Sequence, residues 1–168
     1  MTRVRSSVLV AVALMVLGLG RPLFAQWPTV LMLYDGGLKQ PVFVNGADSV
    51  PFGEIFRSAP KAGESIADMG DRPFIKVACF WGSADNPAIN GTRMADLKPE
   101  MASQHGRFYP ATKDKPAAMF VMGFTKSFGP GRGAPIPTDP RVFSAGGAVP
   151  ASALAVLKRV GVSVGPSR

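Results

Sequence analysis

Residues 72–81 read Arg-Pro-Phe-Ile-Lys-Val-Ala-Cys-Phe-Trp, and this run decides the fold class. It has strand length, and its β-branched and aromatic residues suit a pleated surface. Alternation by two places Ile75, Val77, Cys79 and Trp81 on one face and Phe74, Lys76, Ala78 and Phe80 on the other. Lys76 makes the second face only partly apolar, so the Cys79 face is the expected core face.

Upstream, residues 29–34 (TVLMLY) form a continuous apolar run, as in a strand covered on both sides. Asp35-Gly36-Gly37 is a turn signal. Residues 38–44 (LKQPVFV) read as a second strand, which Pro41 assigns to an edge or a bulge. Asn45-Gly46 then suggests a hairpin leading to a short strand at 47–50. Residues 51–71 read as a loop with a helical turn near 65–69.

Downstream, residues 82–91 are turn chemistry, and Asn90-Gly91-Thr92 is a glycosylation sequon. A short helix is expected at 99–104, with proline at its first position, and short strands at 106–110 and 141–144. Residues 117–124 (AAMFVMGF) read as a buried strand with Gly123 marking a bulge. The Gly- and Pro-rich stretch 129–140 is a loop. Residues 151–160 are the clearest helix. Pro150 opens it, Leu154, Leu157 and Val160 recur at helical spacing, Lys158 and Arg159 complement its C-terminal dipole, and Gly161 can cap it. The expected architecture is mainly β (α+β the alternative): an antiparallel sandwich or open barrel with one C-terminal helix.

Composition agrees with a turn-rich β chain. The 168 residues include 19 Gly and 16 Pro, and only 18% are charged. One Cys excludes an internal disulfide and a Cys-rich zinc site, and one His excludes any site needing two imidazoles from one chain.

The N-terminus reads as a secretory signal. Arg3 and Arg5 precede an uncharged apolar run of 13 residues, Val8 to Gly20, too short to span a bilayer, and cleavage is expected before Gln26. Residues 26–168 then make one β-rich domain in the periplasm or outside the cell, with no membrane span after cleavage. Loss of residues 1–25 removes Arg3, Arg5 and Arg21 and lowers the formal charge from +8 to +5. The remaining basic residues are scattered, so nucleic acid is not an expected partner; a protein or a small ligand is.

The chemistry-bearing residues gather between Asp96 and Tyr109. His105 is the one side chain that titrates near neutrality, and Asp96 or Glu100 could pair with it as a hydrolase's acid–base couple. A Ser-His-acid triad would need Ser103, Ser83 or Ser127, and no GxSxG elbow presents one. The simpler reading is a loop histidine packed beside Arg107 and Tyr109. Those three with Phe108 make the candidate binding surface.

Met94, Met101 and His105 could hold Cu(I), which accepts thioethers. Met119 and Met122 point to opposite faces of their strand and read as core. Cys79, on the core face, reads as a small hydrophobe rather than a nucleophile. The Gly129–Gly133 loop lacks the Lys-Ser/Thr of a phosphate loop. The sequence thus describes an exported binding or scaffold module with no cofactor, with a small hydrolase and a periplasmic Cu(I) carrier as alternatives.

Overall fold

The apolar run at 72–81 becomes β3, Ile75–Phe80. The computed structural model describes residues 30–61, 65–81, 92–122 and 133–165. β3 lies between β1 (Val30–Tyr34) and β4 (Gln104–Tyr109), antiparallel to both. β2 (Val42–Asn45), β5 (Ala118–Val121) and β6 (Ala145–Ala148) complete an antiparallel sheet of order β2-β1-β3-β4-β5-β6. The sheet is open, with β2 and β6 at its edges, and among the described residues one α-helix, α1 (Ala151–Arg159), follows it. The architecture is mainly β, as the strand and turn signals indicate.

Both faces of the sheet are covered. On the first face Leu31, Val77, Cys79, Phe108 and Met119 pack under Phe52, Ile55 and the Ala153, Val156 and Leu157 side of α1. The helix closes as its sequence implies. Gly161 takes a positive φ of 84°, and the Val162 N–H reaches back to the Leu157 carbonyl.

The second face is not half-polar, despite Lys76. Met32, Tyr34, Ala78 and Phe80 pack under Leu97 and Ala102, while Tyr109, Phe120 and Met122 pack under Ile66, Met69, Ala134 and Phe143. Loops and 3₁₀ turns form this second cover. Such segments carry no long periodic signature, so the sequence pattern does not announce it.

Several local expectations are corrected. The second strand starts at Val42, after Pro41, whose missing N–H cannot enter a ladder. Residues 47–50 are no strand: a 3₁₀ helix spans Gly46–Phe52, with Pro51 inside it. The short helix at 99–104 shrinks to a 3₁₀ turn at Pro99–Met101, and β4 starts at Gln104, so His105 is a strand residue rather than a loop residue. The strand expected at 141–144 is a 3₁₀ turn, Pro140–Val142, where the Asp139 carboxylate accepts the Arg141 N–H. The true last strand is Ala-Gly-Gly-Ala, whose two glycines erase the alternation that would have revealed it. The signal segment, the 82–91 turns, the Gly123 bulge and residues 129–132 of the glycine loop lie outside the described residues. No helix among the described residues is long and apolar enough to cross a membrane.

Gly146 shows why β6 needs glycine. Its φ is +129°, and a Cβ there would run into the Met119 carbonyl and sit 2.7 Å from the Phe120 Cα. Gly146→Ala therefore combines backbone strain with a collision against β5. A loss of about 1–3 kcal/mol is expected, read as a lower urea midpoint at unchanged slope. An unchanged midpoint would contradict the pairing of β6 with β5.

Candidate functional site

β4 sorts the expected site residues by alternation. His105, Arg107 and Tyr109 share the second face, whereas Phe108 lies on the first, fully buried opposite Ile75. Phe108 therefore cannot join the other three in one binding surface, and of those three His105 and Tyr109 are buried, which leaves Arg107.

His105 sits opposite Ala78 and is 2% exposed. Its Nε2 is 2.9 Å from the Ala134 carbonyl oxygen. A carbonyl only accepts, so Nε2 carries the hydrogen and Nδ1 is bare. Nδ1 is buried without a partner among the described residues. Burial holds the imidazole below its ordinary value of 6.5, outweighing the Ala134 bond and the Glu100 charge, which both favour the proton. The neutral ring is thus a clasp: it ties the 134–143 cover to the centre of the sheet.

Neither candidate carboxylate pairs with it. Asp96 is held by Arg93 at 2.7 Å on the surface. Glu100 is exposed and acts on His105 through its charge alone. Ser103 precedes β4, buried, with its N–H on the Cys79 carbonyl. The geometry does not assemble an acid–base couple of the hydrolase kind.

The thioether set is dispersed as well. Met94 Sδ accepts from Asn45 Nδ2 at 3.4 Å near the β2 edge, and Met101 packs against the Met32–Phe80 cluster. No group of three His, Cys, Asp or Glu residues among the described residues is arranged to hold a metal ion. Cys79 is fully buried, and burial pushes its thiol well above the ordinary range. Trp81, half-buried, donates its indole N–H to Gln104 Oε1 at 2.8 Å and meets Phe56 edge-on.

One row of the second face is only partly covered: its β1 end, Tyr34, is 9% exposed, and its two basic residues are half-buried. The 133–134 backbone presses on residues 100–102, so closely that a Cβ on Gly133 would collide with the Glu100 and Ala102 carbonyls. The Ala134 N–H also donates to the Ala102 carbonyl at 2.7 Å. That contact seals the row containing Ala78 and His105. The next row along the strands holds Tyr34, Lys76 and Arg107, directly opposite one another on β1, β3 and β4. Here the Lys76 side chain is 44% exposed, paired with Asp35 at 2.7 Å.

Arg107 differs from its neighbours. Arg72, Lys76 and Arg107 are the half-buried lysines and arginines among the described residues. Arg72 donates to the Pro110 and Pro116 carbonyls, and Lys76 has Asp35. Arg107 instead packs on two rings, its guanidinium carbon 4.4 Å from the Phe74 centroid and 5.0 Å from that of Phe143. It has no hydrogen bond or ion pair among the described residues, and none of its nitrogens is buried.

Two cation–π contacts contribute about 0.5–2 kcal/mol each. They fix where the group sits and leave its five donors unused. At the far end of the row, beyond Lys76, burial and the Asp35 and Glu100 charges push the Tyr34 hydroxyl up to about 12, so it stays a protonated donor at neutral pH.

Sequence reasoning identified Arg107 but missed Tyr34, Lys76, Phe74 and Phe143 as its companions. A lysine in the middle of an apolar strand was the available signal. The approach of Phe143, 36 positions along the chain from Arg107, leaves no local trace. No family model, curated protein or solved structure matches the chain.

Two outcomes test these assignments. The native state disfavours protonated His105, so its contribution to stability is complete above pH 6.5 and is lost as the pH falls below that value. His105→Gln keeps an amide donor for the Ala134 carbonyl and does not titrate. Between about pH 7 and about pH 5 its urea midpoint should fall less than that of the wild type; parallel curves would contradict a buried neutral imidazole. Cys79 should resist a thiol reagent in the native protein and react on unfolding. Rapid native labelling would contradict its burial.

Proposed function

We propose that the protein is an exported binding module, acting by recognition rather than by covalent chemistry, with its recognition surface on the partly covered row of Tyr34, Lys76 and Arg107. The carrying observation is the unpaired, solvent-facing guanidinium of Arg107, held in place by Phe74 and Phe143. A group positioned before its partner arrives loses less freedom on binding, which is how preorganised sites gain affinity.

The bare alternative is a structural Arg107, gluing the 74 and 143 segments to the sheet. Arginine is an expensive choice for that task. A leucine or methionine would fill the space without exposing like charge opposite Lys76, a cross-strand arrangement that destabilises a sheet.

Export is supported by the basic start, short apolar run and small-residue cleavage region of residues 1–25. The two reactive side chains, His105 and Cys79, are both buried and held in the packing, which favours binding over catalysis.

Native mass spectrometry of the protein recovered from its extracytoplasmic compartment, set against its denatured mass, tests both halves. The denatured mass should match a chain starting at Gln26. The native mass should exceed it by a ligand or partner, and the excess should disappear in Arg107→Met, which keeps the packing volume. An uncleaved chain would refute export. A bare native mass, or an excess indifferent to Arg107, would refute the recognition surface.

A further inference from the structure

We propose that the partly covered row binds an oxyanion head group, a carboxylate or a phosphate, with Arg107 as its principal donor and Lys76 and Tyr34 as its second and third. The inference rests on the reading of this row as the recognition surface and adds the chemistry of what it recognises.

Charge balance is the first argument. Lys76 and Arg107 stand directly opposite each other on β3 and β4. Opposed like charges at this spacing destabilise a sheet unless something neutralises them. Asp35 bonds to Lys76 at 2.7 Å, and no carboxylate among the described residues bonds to Arg107. One negative charge is therefore lacking. The surface arginines Arg93, Arg141 and Arg159 each have their own aspartate.

Geometry is the second. The guanidinium carbon lies over the rings of Phe74 and Phe143, and none of the N–H groups is taken by an acceptor among the described residues. A guanidinium's N–H groups form the fork which matches the two oxygens of a carboxylate or phosphate. Neighbouring strands lie about 4.8 Å apart, so Tyr34, Lys76 and Arg107 span about 10 Å of one row. All three present donors and none an obligatory acceptor: an ammonium, a guanidinium and a phenol that remains protonated. The carboxylates near the row are Asp35, already engaged by Lys76, and Glu100, which is felt at Tyr34 on the far side from Arg107.

Asp35 sets the resting state. It is 58% exposed at the end of β1 and occupies Lys76 when no ligand is bound. An arriving oxyanion competes with it for Lys76, so the row has a built-in competitor whose removal should strengthen binding. Exposed pairs of this kind are worth little on their own, so an arriving oxyanion can displace Asp35 from Lys76.

The test titrates the purified exported protein with sodium acetate and, separately, with inorganic phosphate, chloride balancing the ionic strength. The readouts are calorimetry and the NMR signal of the Arg107 Nε–H. A saturable shift of that signal is expected with at least one probe, and the tighter one names the head group. Arg107→Met should weaken binding at least tenfold. Asp35→Asn, a surface change that leaves the core intact, should strengthen it severalfold.

Absence of a saturable shift with both probes overturns the proposal. So does wild-type affinity in Arg107→Met, or unchanged affinity in Asp35→Asn. The two readings fail separately. If the native mass excess depends on Arg107 while neither oxyanion binds, the surface stands and the ligand class falls. If an oxyanion binds while the native excess ignores Arg107, the site stands and the broader reading falls.

Discussion

The pairing of β3 with β1 and β4 is the constraint on which everything else depends. Val77, Ala78, Cys79 and Phe80 are all fully buried in the middle of the sheet, two on each face. A strand apolar on both sides cannot border water on either. Each large side chain taken fully out of solvent contributes about 1.5–3 kcal/mol. Met32, Phe80 and Phe120 on the second face alone approach the net stability of an ordinary domain, about 5–15 kcal/mol. The second cover is therefore as necessary as the helix on the first face.

The chain builds that cover from irregular segments, and this choice places the site. A helix or a second sheet would have sealed the face evenly. Two loop-rich segments meet over His105, where the Ala134 N–H bonds to the Ala102 carbonyl and the imidazole bonds to the Ala134 carbonyl. One row further along, they no longer close over Lys76. The residues that looked chemical in isolation, the imidazole and the thiol, are consumed by packing. The arginine, an ordinary surface residue by type, is the one left poised, because Phe74 and Phe143 hold it from different segments.

What could be read in advance follows the range of the forces involved. β1, β3, β5 and α1 were legible because hydrophobic periodicity is local, and so was the mainly β, antiparallel character. The capping of α1 by Gly161 was legible for the same reason. The last strand was not, since Gly146 and Gly147 carry no side chains to show a period. The 3₁₀ helix over Gly46–Phe52 was hidden behind a hairpin signal, Asn45-Gly46, that a following Pro51 overrides. Of the candidate site, Arg107 was visible by type. Its opposition to Lys76 is a matter of register between strands 31 positions apart, which no local pattern encodes. The assignment of His105 to a loop failed because Gln104, His105, Gly106 and Arg107 give the first part of β4 no apolar alternation.

The central claim is that the second face is closed at His105 by a cover as stable as the sheet itself. Native-state amide hydrogen exchange measures this directly, residue by residue. The account predicts that the Ala134 N–H, bonded to the Ala102 carbonyl, exchanges as slowly as the amides of Val77 and Ala78 in β3, all opening only with global unfolding. Fast exchange at Ala134 alongside a protected β3 would contradict it, because the second face would then open to water while the sheet stayed folded.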